Sequence, residues 1–188
     1  MDRVKYASRQ KVAAVVKKAL TRGAAVEIDG LGLFRKTGKG YSFQPANLPR
    51  IFVSYVHEDI RHAERIYEAL LDAGFEPWLD RFKLLPGQNW ARAMRNALET
   101  SDFAICCFSQ NSFHKRGGFQ SEMRYALECA NRLPLEDVFL IPVRLDECTV
   151  PVEVARQMHY VDMFPDWENG MERVIEAIHH QLRRLRAA

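Results

Sequence analysis

The chain has 188 residues, 47% of them hydrophobic, enough for one well-buried core and a small appendage. No run approaches the ~18 uninterrupted apolar residues of a membrane span, and the first 20 residues are polar and basic where a secretory signal would be apolar. The expectation is a soluble, cytoplasmic protein with no membrane partner. The net charge of +3 conceals an asymmetry, since residues 1–49 hold ten Lys/Arg against three Asp/Glu and residues 50–188 hold seventeen against twenty-one. A basic module over 1–47 and an acidic one over 48–188 follow from that change of balance.

In the basic module, residues 8–22 place Val12, Val15, Val16, Ala19 and Leu20 at helical spacing between a capping Ser8 and Gly23, which predicts an amphipathic helix. Two alternating runs, 25–35 and 39–43, flank Lys36-Thr37-Gly38-Lys39 and predict a β-hairpin. Pro45 and Pro49 mark a linker. Ala19-Leu-Thr-Arg-Gly23, Val26-Glu-Ile28 and Gly30-Leu-Gly-Leu-Phe34 resemble part of a subunit of the HU family of DNA-binding proteins, over about 30 residues. That resemblance implies a helix and first strands of that fold and makes DNA a candidate partner of residues 1–47, although the Arg-Asn-Pro arm tip of that family is absent. Packing or self-association is the competing reading of the same segment.

From residue 50 onward the chain alternates strand and helix patterns. Arg50–Tyr55 is a short apolar run ending in polar residues, and His57-Glu-Asp59 can cap a helix over 59–73, broken at Gly74. Residues 75–79 form a second strand, placed at an edge by Pro77. A loop over 80–87 turns at Pro86-Gly87, a helix follows over 88–100, and Asp102–Phe108 is apolar enough for a central strand covered on both faces. A helix over 119–131, strands over 137–143 and 158–162, and a last amphipathic helix over 167–186 complete the pattern. The fold class is therefore α/β, a flavodoxin-like five-stranded parallel sheet with helices on both faces, preceded by the small helix-and-hairpin module.

Ligands in such folds sit beyond the carboxyl ends of the strands. Those ends carry Ser54-Tyr-Val-His57, the 79–88 loop and Ser109–Gly118, so Tyr55, His57, Lys83 and Asn89 are candidate contacts and Glu122 stands on the helix rising from the crevice. The commoner chemistries of the fold lack their motifs. There is no Gly-x-x-x-x-Gly-Lys-Ser/Thr phosphate loop, no Gly-x-Gly-x-x-Gly after the first strand, no Gly-x-Ser-x-Gly elbow and no His-Glu-x-x-His pair, and six histidines and four cysteines lie without ligand spacing. No metal and no cofactor are expected, and the cysteines, Cys106 and Cys107 on a strand, Cys129 and Cys148, read as free thiols.

Ile51-Phe-Val-Ser-Tyr55, Gly74-Phe-Glu-Pro-Trp-Leu-Asp80, Leu85-Pro-Gly-Gln-Asn-Trp90, Ser101-Asp102, Ser109-Gln-Asn-Ser112 and Gly118-Phe-Gln-Ser-Glu122 together resemble the Toll/interleukin-1 receptor (TIR) domain over residues 50–185. Many bacterial members of that family cleave NAD, so the resemblance to a bacterial TIR protein implies NAD as substrate, cleaved at the nicotinamide–ribose bond, with Glu122 as the catalytic residue. Ser54, Tyr55, His57, Lys83, Asn89, Ser109, Ser112 and Phe119 are the candidate substrate contacts. It also implies activation by self-association through the 80–89 loop, an upstream sensor or effector partner, and a role in antiphage defence. The product remains open between ADP-ribose, cyclic ADP-ribose and an isomer. A non-enzymatic scaffold acting through TIR–TIR contacts, or a nucleoside-transferring relative, are the alternatives. Many catalytic relatives carry an aromatic residue four positions before the glutamate, where this chain has Gly118, and Phe119 is the candidate stand-in. Trp78 and Trp90 read as packing residues.

Overall fold

A computed structural model describes residues 14, 16–21, 25–28, 32–37, 40–45, 47–113 and 118–187. It divides into two compact units, 1–48 and 49–188. In the first unit residues 16–21 are helical and three strands form an antiparallel sheet, β1 (Val26–Ile28), β2 (Gly32–Thr37) and β3 (Gly40–Pro45), in that order. The run expected as one strand over 25–35 is thus two, paired Val26 to Phe34 and Ile28 to Gly32. The expected Ser8 cap and the first turns of the helix lie outside the described residues.

The second unit is a five-stranded parallel sheet. Its strands are β4 (Arg50–Ser54), β5 (Glu76–Trp78), β6 (Phe103–Phe108), β7 (Leu140–Arg144) and β8 (Val161–Asp162), in the spatial order β5-β4-β6-β7-β8. Numbered within the unit this is 2-1-3-4-5, the flavodoxin-like order, whose reversal lies between β4 and β6. β5 pairs only with β4, an edge place that tolerates the missing N–H of Pro77. β6 is buried along its whole length.

Strand alternation divides the core in two. Ile51 and Val53 of β4, Phe103, Ile105 and Cys107 of β6, and Ile141 and Val143 of β7 point to one face. There they meet Ala63, Ile66 and Leu70 of α1 (Ile60–Asp72) and Met171, Val174 and Ile178 of the long C-terminal helix (Trp167–Ala187). Phe52, Ala104, Cys106, Phe108 and Leu140 point to the other face, against Met94, Ala97 and Leu98 of the helix Trp90–Glu99 and Phe119, Met123 and Ala126 of the helix Gly118–Ala130. Burial of each large apolar side chain contributes roughly 1.5–3 kcal/mol, so the two clusters account for most of the driving force.

In chain order the described helices of the second unit are α1, α2 (Asp80–Lys83), α3 (Trp90–Glu99), α4 (Gln110–Phe113), α5 (Gly118–Ala130), α6 (Val152–Ala155) and α7 (Trp167–Ala187), with a 3-10 turn at His57–Asp59. α1 ends where expected, at Gly74, whose φ of +85° lets the Gly74 and Phe75 N–H groups close back on Leu71 and Leu70. Three short helical pieces were not legible as helix. α2 and α4 are single turns inside segments expected as loops, and α6 has too few residues to show a period. The last strand is also shorter than expected, two residues, because Met158–Tyr160 carries no sheet pairing.

Candidate active site

Ser54 is the last residue of β4 and shares the face of Phe52, two residues earlier. That face is covered by α5. On α5, Glu122 lies three residues after Phe119 and four before Ala126, both buried, so it belongs to the helix's inward stripe. Sheet alternation and helix periodicity therefore aim the two side chains at one another. Ser54, 1% exposed, donates from Oγ to Glu122 Oε2 at 2.7 Å.

The carboxylate opens into a cavity of about 210 Å³ at the carboxyl edge of the sheet, beside the strand reversal. Tyr55, His57, Asp80, Trp90, Phe119 and Glu122 line it, over a floor that includes Val56 and Met94. Burial pushes the Glu122 carboxyl up, the hydrogen bond from Ser54 holds it down, and the nearby charge of Asp80 pushes it up again, for a net value of about 7. Asp80 is itself fixed at the start of α2, where Oδ1 accepts from Tyr55 Oη at 2.6 Å and from its neighbour Arg81 N at 2.7 Å. Burial and that same hydrogen bond raise the Tyr55 phenol, which keeps it protonated and donating.

The other expected contacts fall into distinct groups. Tyr55, His57 and Phe119 line the cavity with Glu122, and Ser54 supports the carboxylate from beneath. Ser109 and Ser112 turn inward instead. Both are buried, and the Ser109 hydroxyl donates to Asp59 while Ser112 Oγ donates to the Ser109 carbonyl at 2.9 Å. Asn111 Nδ2 also donates to Asp59, at 2.8 Å. Asp59 precedes α1 but its carboxylate makes no cap, because this network, which ties the turn after β4 to the turn after β6, holds it. Asn89 caps α3 by accepting from Arg92 N at 2.9 Å, and Lys83 is an exposed residue of α2 outside the cavity wall. His114–Gly117 lies outside the described residues.

Sequence reasoning missed Asp80 and Trp90. Asp80 ends the segment after β5, and a carboxylate at the carboxyl end of a strand is a signal that the strand-end rule could have used. Trp78 packs as expected, stacked on Phe52 at 5.2 Å, but Trp90 is 45% exposed and faces the cavity. Phe119 is buried and sits edge-on to Phe108, and the space beside Gly118 is filled by Trp90. Among the described residues no His, Cys, Asp or Glu group could hold a metal ion, and no described helix is long and apolar enough to cross a membrane.

A family profile described as TIR domain matches residues 51–175. Comparison of the sequence with curated proteins finds no match. Among solved structures, the TIR domain of the Toll-related receptor TRR-2 from Hydra magnipapillata is similar, with a TM-score of 0.54 and 21% identity over 67% of this chain and 97% of that one. A TIR-STING receptor from C. gigas in complex with 2′,3′-cGAMP is similar at a TM-score of 0.58 and 22% identity, over 68% of this chain but 38% of that longer one. The TIR domains of the activated Roq1 resistosome, which recognises the pathogen effector XopQ, give 0.51 and 17% over 71% and 99%. With the profile spanning the whole five-stranded sheet and the fold shared with these domains, the chain belongs to the TIR-domain family.

Proposed function

We propose that this TIR domain cleaves NAD at the nicotinamide–ribose bond. The observation that carries the reading is one mostly buried carboxylate, Glu122, aimed by Ser54 into a cavity at the strand reversal. Nicotinamide leaves NAD as a neutral ring, taking the electron pair of the C1′–N bond, so no acid has to protonate it. The positive charge then moves onto the ribose as an oxocarbenium ion, and water or an internal nucleophile captures C1′ with loss of a proton. Ionised Glu122 stabilises that charge more strongly in a partly dry cavity than it would in bulk water. The cavity is below the ~300–1,000 Å³ of sites that engulf a whole drug-sized ligand, which suits the nicotinamide end of the dinucleotide with the remainder outside.

Incubation of NAD with the concentrated protein and with Glu122→Ala, following nicotinamide release, tests the reading. Loss of one preorganised electrostatic group lowers the rate about 10²–10³-fold, and equal rates remove Glu122 from the mechanism. Domain docking without chemistry is the second reading. It is favoured by the exposure of Phe82 (51%) and Leu85 (65%) between β5 and α3, an apolar surface suited to a second copy. No release at any protein concentration selects it. The two readings join if stacking through residues 80–89 activates cleavage, and the likeness to the Roq1 TIR domains, seen in an activated assembly, supports that and a defence role. For the basic residues 1–47, a salt-sensitive DNA shift lost on neutralising Lys36 and Lys39 tests nucleic-acid contact.

A further inference from the structure

Gly118 stands one turn before Glu122, so the two positions lie on one stripe of α5, roughly 6 Å apart along its axis. A Cβ built at Gly118 would fall 2.7 Å from Cη2 of Trp90, with Cζ2 at 3.5 Å and Cζ3 at 3.7 Å. Such an approach is closer than any side chain tolerates, so the absence of one at 118 is what lets the six-membered edge of the indole seat there. Trp90 arrives from α3, whose first turn Asn89 caps. Contact along that edge does not itself use the faces of the ring, and nearly half of the residue remains accessible where it lines the cavity.

We propose that Trp90, seated against Gly118, is the platform on which the departing ring of the substrate lies, and that it selects a cationic ring. The inference rests on the NAD-cleaving reading and names the specificity determinant of that site. A half-exposed indole that lines the same cavity as a carboxylate offers a flat, electron-rich surface for a planar heterocycle. In oxidised NAD the nicotinamide ring carries a positive charge and in NADH it does not, so the indole face attracts the first more than the second. As the C1′–N bond breaks, the positive charge leaves the ring for the ribose, where Glu122 stabilises it. The attraction to Trp90 fades at the same moment, so Trp90 contributes to binding more than to the chemical step and does not retain the neutral product.

Titration calorimetry of Glu122→Gln protein with NAD and NADH tests this without turnover. NAD binds more tightly than NADH, Trp90→Ala weakens NAD about tenfold or more and narrows the gap to NADH, and Trp90→Phe restores most of the loss. Gly118→Ala weakens NAD when Trp90 is present and has little further effect beside Trp90→Ala, because both changes act on one contact. In the active protein, Trp90→Ala raises KM more than it lowers kcat. Thermal unfolding of each variant shows that the fold is kept. A folded Trp90→Ala protein that binds NAD within about twofold of its parent overturns the platform, whether or not NAD is cleaved. Trp90-dependent binding with no nicotinamide release removes the hydrolase reading and leaves the platform standing. No NAD binding to the unsubstituted protein overturns both.

Discussion

Glu122 is at odds with its surroundings, and that mismatch is measurable. Its native carboxyl titrates at about 7 against an ordinary glutamate value of 4.5, so the folded state favours the protonated form. The associated stability is present below the ordinary value and is lost as pH rises through about 7. Replacement by a neutral isostere removes that loss. Glu122→Gln is expected to stabilise the protein by about 1–3 kcal/mol at about pH 8, and by almost nothing at about pH 4, in urea unfolding at the two pH values. Asp80→Asn removes a charge that raises Glu122, so the rising limb of kcat/KM against pH moves to lower pH, whereas Ser54→Ala removes a bond that holds it down and moves the limb to higher pH. Unmoved limbs in both variants would separate Glu122 from the titration that governs activity. Ser54 was expected only as a substrate contact, and its partnership with Glu122 emerges once the structure gives Phe52 a face, since Ser54 shares it. The influence of Asp80 was not, because it depends on how the chain turns after β5.

At the scale of elements, periodicity revealed the long pieces and left the short ones unseen. β6 reads as a central strand because Phe103–Phe108 is apolar throughout, and it is the middle strand of five. α2, α4 and α6 are four residues each, about one turn, too short for any apolar period to appear. Asp59 shows tertiary context overriding a local signal, since a residue placed to cap α1 spends its carboxylate on Ser109 and Asn111 of the turn after β6. Close packing of one element on another is equally invisible in sequence. A Cβ at Gly170 of α7 would meet the Asp162 carbonyl oxygen at 2.7 Å and Met163 Cα at 3.0 Å, both backbone atoms that cannot step aside. Gly170→Ala is therefore expected to destabilise by about 1–3 kcal/mol despite the better helix propensity of alanine, measured by chemical unfolding. An unchanged midpoint would mean that α7 can lift from β8 at no cost.

For the whole molecule, the cavity at the sheet reversal and the apolar surface of Phe82 and Leu85 are connected through a short piece of chain, since Asn89 and Trp90 follow that surface directly and Trp90 walls the cavity. A change of the 80–89 segment on docking would reach the site through the first residue of α3. Specific activity is accordingly expected to rise with protein concentration, and Leu85→Asp to flatten that rise while leaving the thermal midpoint within a few degrees. Concentration-independent activity equal in both proteins would uncouple docking from cleavage. Order of elements, sheet class and the glutamate were legible from motif and pattern, whereas the cavity wall required knowing which loops meet. In the proposed reaction the ionised carboxylate of Glu122 drives cleavage. Nicotinamide release from NAD, followed across pH with the concentrated protein and with Glu122→Gln, tests it most directly. The rate is expected to rise with a midpoint near 7 and to fall by about 10²–10³-fold in the variant. Equal release by the two proteins at every pH would contradict it.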